Sequence, residues 1–133
     1  EKKKIYSLNL ENEIIVKLLE ERKIFINIPL KVQFILVEII EDISRLRNIK
    51  NLILFGSYSK LIFTDKSDID LAIILDNKIT NKSRIEKKIF AITRKISRQF
   101  KKEIQCHYFL ESDLKHKEDM LIKDILRNGK QLI

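Results

Sequence analysis

Residues 54–75 read LFGSYSKLIFTDKSDIDLAIIL. An apolar run of strand length, residues 51–55 (NLILF), stops at Gly56, and a second, Ile69–Leu75 (IDLAIIL), opens behind an aspartate. Short apolar runs bounded by turn residues are the pattern of buried strands. Gly56 is one of only two glycines in the chain and stands beside Ser57 at the end of the first strand. The missing Cβ lets backbone N–H groups approach a ligand there. The turn that follows aims them at phosphate oxygens, and the Ser57 hydroxyl adds a donor. Between the two strands lies a loop or short helix that also holds Tyr58, Ser59 and Lys60.

Eleven residues beyond Ser57 come Asp68 and Asp70. Side chains two apart on a strand share a face, so these carboxylates project together while Ile69 turns into the core. Like charges this close raise each other's pKa unless a cation neutralises them, and the hard cation that suits carboxylate oxygens is Mg²⁺ or Mn²⁺. A metal held by two carboxylates that keeps room for substrate phosphates is the arrangement expected of nucleotidyl transfer.

Outward from this stretch, the sequence reads as helices around a sheet. Asn9 or Asn12 caps a first helix to about Lys23, with Ile14, Ile15, Leu18 and Leu19 on its apolar side. Pro29 suits the first turn of a second, in which Val32, Leu36, Ile39, Ile43 and Leu46 recur at helical spacing. Ser83 and Glu86 form a capping box for a third helix, to about Phe100, whose Ile85, Ile89, Ile92 and Ile96 face inward. Residues 103–109 (EIQCHYF) alternate as a third strand, with His107 on the face of Glu103 and Gln105 and Cys106 on the core side. A final helix over about residues 118–128 buries Leu121, Ile122, Ile125 and Leu126 and stops at Gly129, where a left-handed cap is expected. The fold class is α/β (α+β): strands alternating with helices, behind two N-terminal helices, give a sheet with helices packed on it.

With 133 residues there is room for one domain. Residues 1–50 are expected as a helical segment packing on a domain of residues 51–133. Because the first residue is Glu1, the numbering is expected to begin inside a longer product. At 44% hydrophobic and 35% charged residues the chain is no disordered tail. No apolar run approaches the ~20 residues that span a bilayer. One cysteine and two histidines supply neither an intrachain disulfide nor a His/Cys zinc site, and a cytoplasmic protein is expected. The formal charge of +8 is concentrated: residues 81–102 carry nine Lys/Arg against Glu86 alone, and the other 18 basic and 18 acidic residues cancel. Such a face attracts phosphates, as in nucleic acid, or an acidic partner.

Gly56-Ser57 followed by Ser67-Asp68-Ile69-Asp70-Leu71 resembles the signature of the DNA-polymerase-β-type nucleotidyltransferase superfamily, most closely its small members, the minimal nucleotidyltransferases. Residues 125–129 (ILRNG) resemble the end of such domains, and residues 5–9 (IYSLN) the segment that follows a winged-helix domain in some prokaryotic relatives. The resemblance implies a small mixed sheet. It also implies a triphosphate held by Gly56, Ser57 and Ser67, and metals bound by Asp68 and Asp70. A third carboxylate on the next strand is implied too, with Glu103 the candidate and Gln105 the competing position. By the same resemblance the reaction moves a nucleoside monophosphate, AMP from ATP, to a hydroxyl of a macromolecular acceptor. A tyrosine of a HEPN-type toxin is such an acceptor, and the chain would then be the antitoxin. One departure is evident: Leu61 stands where the family's GSxxxG pattern has its second glycine, a place ill-suited to a side chain.

Overall fold

In the computed structural model of the protein, the described residues are 27–133. The first expected helix and the segment over residues 5–9 lie outside them. Helix α1 (Leu30–Ile43) follows Pro29, whose ring presets the backbone at φ −56° just before the first turn. Its Val32, Ile35, Leu36, Ile39 and Ile43 are buried, a stripe with helical period. Asn48, at φ 70°, turns the chain into β1, a left-handed conformation that asparagine tolerates better than most residues.

Strands β1 (Ile49–Phe55), β2 (Ile69–Leu75), β3 (Ile104–Leu110) and β4 (Lys130–Gln131) form one mixed sheet in the order β3-β2-β1-β4. β1 runs antiparallel to β2 and to β4, whereas β2 and β3 are parallel. Parallel neighbours require a crossover, and helix α3 (Lys82–Phe100) provides it. β2 is central, and every residue but Asp70 is buried, which explains its unbroken apolar run.

The main core lies between one sheet face and the helices α1 and α3. There Ile69, Leu71, Ile73 and Leu75 meet Ile35, Leu36, Ile39, Ile89 and Ile96. Helix α1 is thus part of the same core as the strands. On the opposite face a smaller cluster joins Phe55, Ala72 and Ile74 to Ile125 of helix α4 (Met120–Asn128). Between β1 and β2 sits the short helix α2 (Gly56–Lys60), and Glu111–Lys115 form a 3-10 turn after β3.

Three helix ends differ from the local reading. Asn81, not Ser83, caps α3: its Oδ1 accepts the Arg84 N–H at 3.0 Å. The turn after β2, in which the Ile79 N–H donates to the Asp76 carbonyl, delivers the chain so that the last non-helical residue is Asn81. Asp119 caps α4 through the N–H groups of Leu121 and Ile122. Gly129 is extended, at φ −66° and ψ 148°, because the chain runs straight into β4. It is glycine for space: a Cβ there would strike the Ile125 carbonyl and the Ile53 side chain.

Candidate active site

The Gly-Ser turn is held from behind. Gly56 has φ +75°, and a Cβ on it would lie 3.1 Å from Asp70 Cγ and closer still to Oδ2. The glycine therefore serves twice, allowing the left-handed backbone and leaving the space that the Asp70 carboxylate fills. Register explains the meeting, since Phe55 pairs with Asp70 across β1 and β2. Ser57, half-buried, is in the first turn of α2, and its carbonyl accepts the Ile62 N–H at 3.0 Å. Behind it the Ser59 hydroxyl donates to the Asn128 carbonyl, and Lys60 Nζ lies 3.0 Å from Asp124 Oδ1. Asp124 also accepts a hydrogen bond from the Asn128 amide, and these two contacts, the amide first, hold its carboxyl below the usual carboxylate range.

The loop from α2 to β2 is braced by an aromatic pair. Tyr58 is buried and stacks on Phe63 at 4.9 Å between ring centroids, and its hydroxyl donates to the Ser67 carbonyl. Lys102 Nζ lies over the Tyr58 ring and donates to the Asp65 carbonyl. Ser67 Oγ accepts the Thr64 N–H at 2.8 Å, so in this structure the serine closes the turn before the aspartates. No local sequence signal announces these braces. Ser59 and its partner are 69 residues apart in sequence.

Asp68 and Asp70 lie on the sheet face away from α1 and α3. Burial pushes the Asp70 carboxyl up, His107 counters it and the Asp68 charge adds to it. Gln105 is Asp70's partner in the parallel register, and its Nε2 donates to Asp68 Oδ2 at 3.4 Å. His107 is two residues further along the same face, edge-on to Phe55 at 5.3 Å between ring centroids. Glu103 precedes β3: its carbonyl accepts the Ile69 N–H, and the residue is exposed at the rim. The structure brings Gly56, Asp68, Asp70 and Gln105 together and records no contact between the Glu103 carboxylate and the pair. Among the described residues no group of three Asp, Glu, His or Cys side chains is close enough to hold a metal. Two hard oxygen donors on one face fit Mg²⁺ or Mn²⁺ with waters or substrate phosphates completing the shell.

Residues 37–133 match the family described as Polymerase beta, Nucleotidyltransferase. The chain belongs to that family. Its four-stranded mixed sheet with helices is that fold. No curated protein matches. Among solved structures, a toxin–antitoxin complex with AMP-PNP is 23% identical, with 90% of this chain and 69% of that one covered at a TM-score of 0.45. A proposed nucleotidyltransferase from Sulfolobus solfataricus is 17% identical over 76% and 80% of the two chains, at 0.45. A mutant of the toxin–antitoxin pair MntA–HpeT is 18% identical over 90% and 69%, at 0.46. The Gly-Ser turn and the Asp pair stand together here. Leu61 takes up the backbone of the expected second glycine: it closes α2 at φ 59° and ψ 35°. Its side chain is 47% exposed, and as leucine it carries a torsional cost in this conformation that glycine would not.

Proposed function

We propose that this polymerase-β-type family member is a minimal nucleotidyltransferase that moves a nucleoside monophosphate, AMP from ATP, onto a hydroxyl of a macromolecular acceptor. The observation that carries this reading is the seating of the Asp70 carboxylate against Gly56, which puts the paired carboxylates beside the Gly-Ser turn. Asp68 and Asp70 would hold Mg²⁺ or Mn²⁺, which when bound neutralises charge on the phosphates and lowers the pKa of the attacking hydroxyl. Gly56 and Ser57 would donate to phosphate oxygens, and Ser67 would fix the angle at which the aspartates enter. Catalysis of this kind is alignment and charge neutralisation. The small domain leaves the acceptor outside, and a tyrosine of a HEPN-type toxin fits that arrangement.

A second reading, a nucleotide-binding module that performs no transfer, is favoured by Gln105. Its amide donates to Asp68, and this reading takes Gln105 rather than Glu103 as the position of the family's third carboxylate. A neutral side chain there leaves the acceptor's proton without a nearby anionic acceptor unless Glu103 swings in from the rim.

The experiment is incubation with each labelled NTP, Mg²⁺ and the products of neighbouring genes, with the doubly substituted Asp68→Asn/Asp70→Asn protein as control. Label transferred by the native chain alone supports the enzyme. Nucleotide binding without transfer supports the module. If transfer occurs, Glu103→Gln should lower the rate ~10²–10⁴-fold if Glu103 acts as the base, with nucleotide affinity unchanged. Under the second reading Gln105→Glu is the variant that raises Mn²⁺ affinity.

A further inference from the structure

The crossover helix α3 carries a feature that the Asp site does not use. At its N-terminal end, Arg45 and Arg47 from the loop before β1 face Arg84 and Lys88 across a hollow of about 520 Å³. A second hollow, of about 510 Å³, shares Arg84 and Lys88 with the first and extends to Lys87 and Ala91. A third, of about 640 Å³, shares Ala91 and is bounded by Phe90, Arg94, Lys95 and Arg98. Among the described residues no Asp or Glu lines any of the three, while Glu86 and Glu103 line the adjoining hollows on the other side of Phe90. Glu41 and Glu86 are each engaged with a basic neighbour, Arg45 at 3.3 Å and Lys82 at 4.0 Å. The result is a row of basic hollows that forms a groove about 21 Å long from Arg84 to Arg98. It lies on the helix-covered side of the sheet, opposite the face that carries Asp68 and Asp70.

We propose that this groove binds single-stranded nucleic acid, with the cations on its phosphates and a base stacked on Phe90. The Phe90 ring favours a polynucleotide over an acidic protein. It is 62% exposed on a helix whose other aromatic residue, Phe100, is fully buried, and it lines hollows with Glu86 and Lys87 on one side and Arg94 on the other. An exposed aromatic ring beside cations is the combination with which single-strand sites hold a base and its phosphate. Arginine adds planar, forked donors that match phosphate. At ~3.4 Å per nucleotide in a stacked strand, the groove accommodates about six. The proposal does not depend on the function of the Asp site.

The test is fluorescence anisotropy of the full chain with labelled single-stranded RNA and DNA of about 12 nucleotides, with poly-glutamate as competitor. Binding to either oligonucleotide, weakening steeply with salt, is expected. Arg84→Glu/Lys88→Glu should weaken it at least 10-fold and Phe90→Ala about 5- to 150-fold, while Asp68→Asn/Asp70→Asn leaves it unchanged. All these groove positions are exposed, so the variants should keep the native melting temperature. Absence of binding, or full affinity in Phe90→Ala together with equal competition by poly-glutamate, overturns the proposal. The latter pair of results would assign the groove to an acidic protein.

Discussion

The two faces of β2 differ more than any other neighbouring surfaces of the molecule. Ile69, Leu71, Ile73 and Leu75 are fully buried under α1 and α3. On the other face, Ala72 and Ile74 meet only the smaller cluster around Phe55 and Ile125, and Asp70 stands half-buried at the near end. A strand has period two, so one stretch of seven residues serves both faces without compromise. The difference shows where stability and chemistry are separated: the helix-covered face fixes the strand's position, and the opposite face can then hold two carboxylates that destabilise each other.

Four substitutions would break or sharpen that contrast. The largest effect is expected on the covered face. Leu71→Ala or Ile73→Ala should cost about 2–5 kcal/mol through lost burial and a residual cavity, lowering the melting temperature by roughly 10 °C or more in a circular-dichroism melt. A smaller loss would mean that the covered face does not anchor β2. At the junction of the two faces, Gly56→Ala should cost about 1–3 kcal/mol, from a strained positive φ and from displacement of the Asp70 carboxylate. Calorimetric titration should show weaker Mg²⁺-dependent nucleotide binding in the same variant. Unchanged binding would separate the glycine from the site.

Leu61→Gly should act in the opposite direction, raising stability by roughly 0.5–1 kcal/mol in urea denaturation. Release of the left-handed strain slightly exceeds the entropy that glycine adds to the unfolded chain. The smallest effect is a matter of pH. Burial raises the folded Asp70 carboxyl above its ordinary value of 3.8, so the folded protein binds that proton more tightly than the unfolded chain. Its contribution therefore favours folding as pH falls from above the raised value toward 3.8, and is lost as pH rises through the folded pKa. Asp124, lowered, contributes with the opposite sign below 3.8. In urea denaturation with a chelator present, Asp70→Asn should flatten the pH dependence just above 3.8 and be at least as stable as the native chain at neutral pH. A native-like profile in that variant would show that burial of Asp70 has no energetic consequence.

Much of this arrangement is readable from local pattern. The runs at 51–55 and Ile69–Leu75 become strands because β-branched and leucine side chains filled both faces of a central sheet. The stripe Ile85, Ile89, Ile96 sets the inward side of α3, and the Asp-x-Asp spacing alone places both carboxylates away from Ile69. What is not readable is anything decided between distant segments. Glu103 and Gln105 share a strand face, and which of them stands beside the aspartates depends on the register, in which Ile69 pairs with Ile104 and Asp70 with Gln105. The Lys60–Asp124 pair and the Ser59–Asn128 bond likewise depend on α4 docking behind α2. Gly129 misled because glycine's use there is the absence of a side chain rather than a left-handed backbone.

The docking of α4 behind the Gly-Ser turn also bears on when the protein becomes competent during synthesis. Gly56, Ser57 and the Asp pair leave the ribosome well before Asp124 and Asn128, and β4 closes the sheet against β1 after both. The 69-residue separation of Ser59 from Asn128 corresponds to roughly 3–14 s of translation. Throughout that interval the nascent chain carries its turn and its carboxylates without the rear wall that holds them. The order of synthesis thus delays a firm Gly-Ser turn until α4 is made.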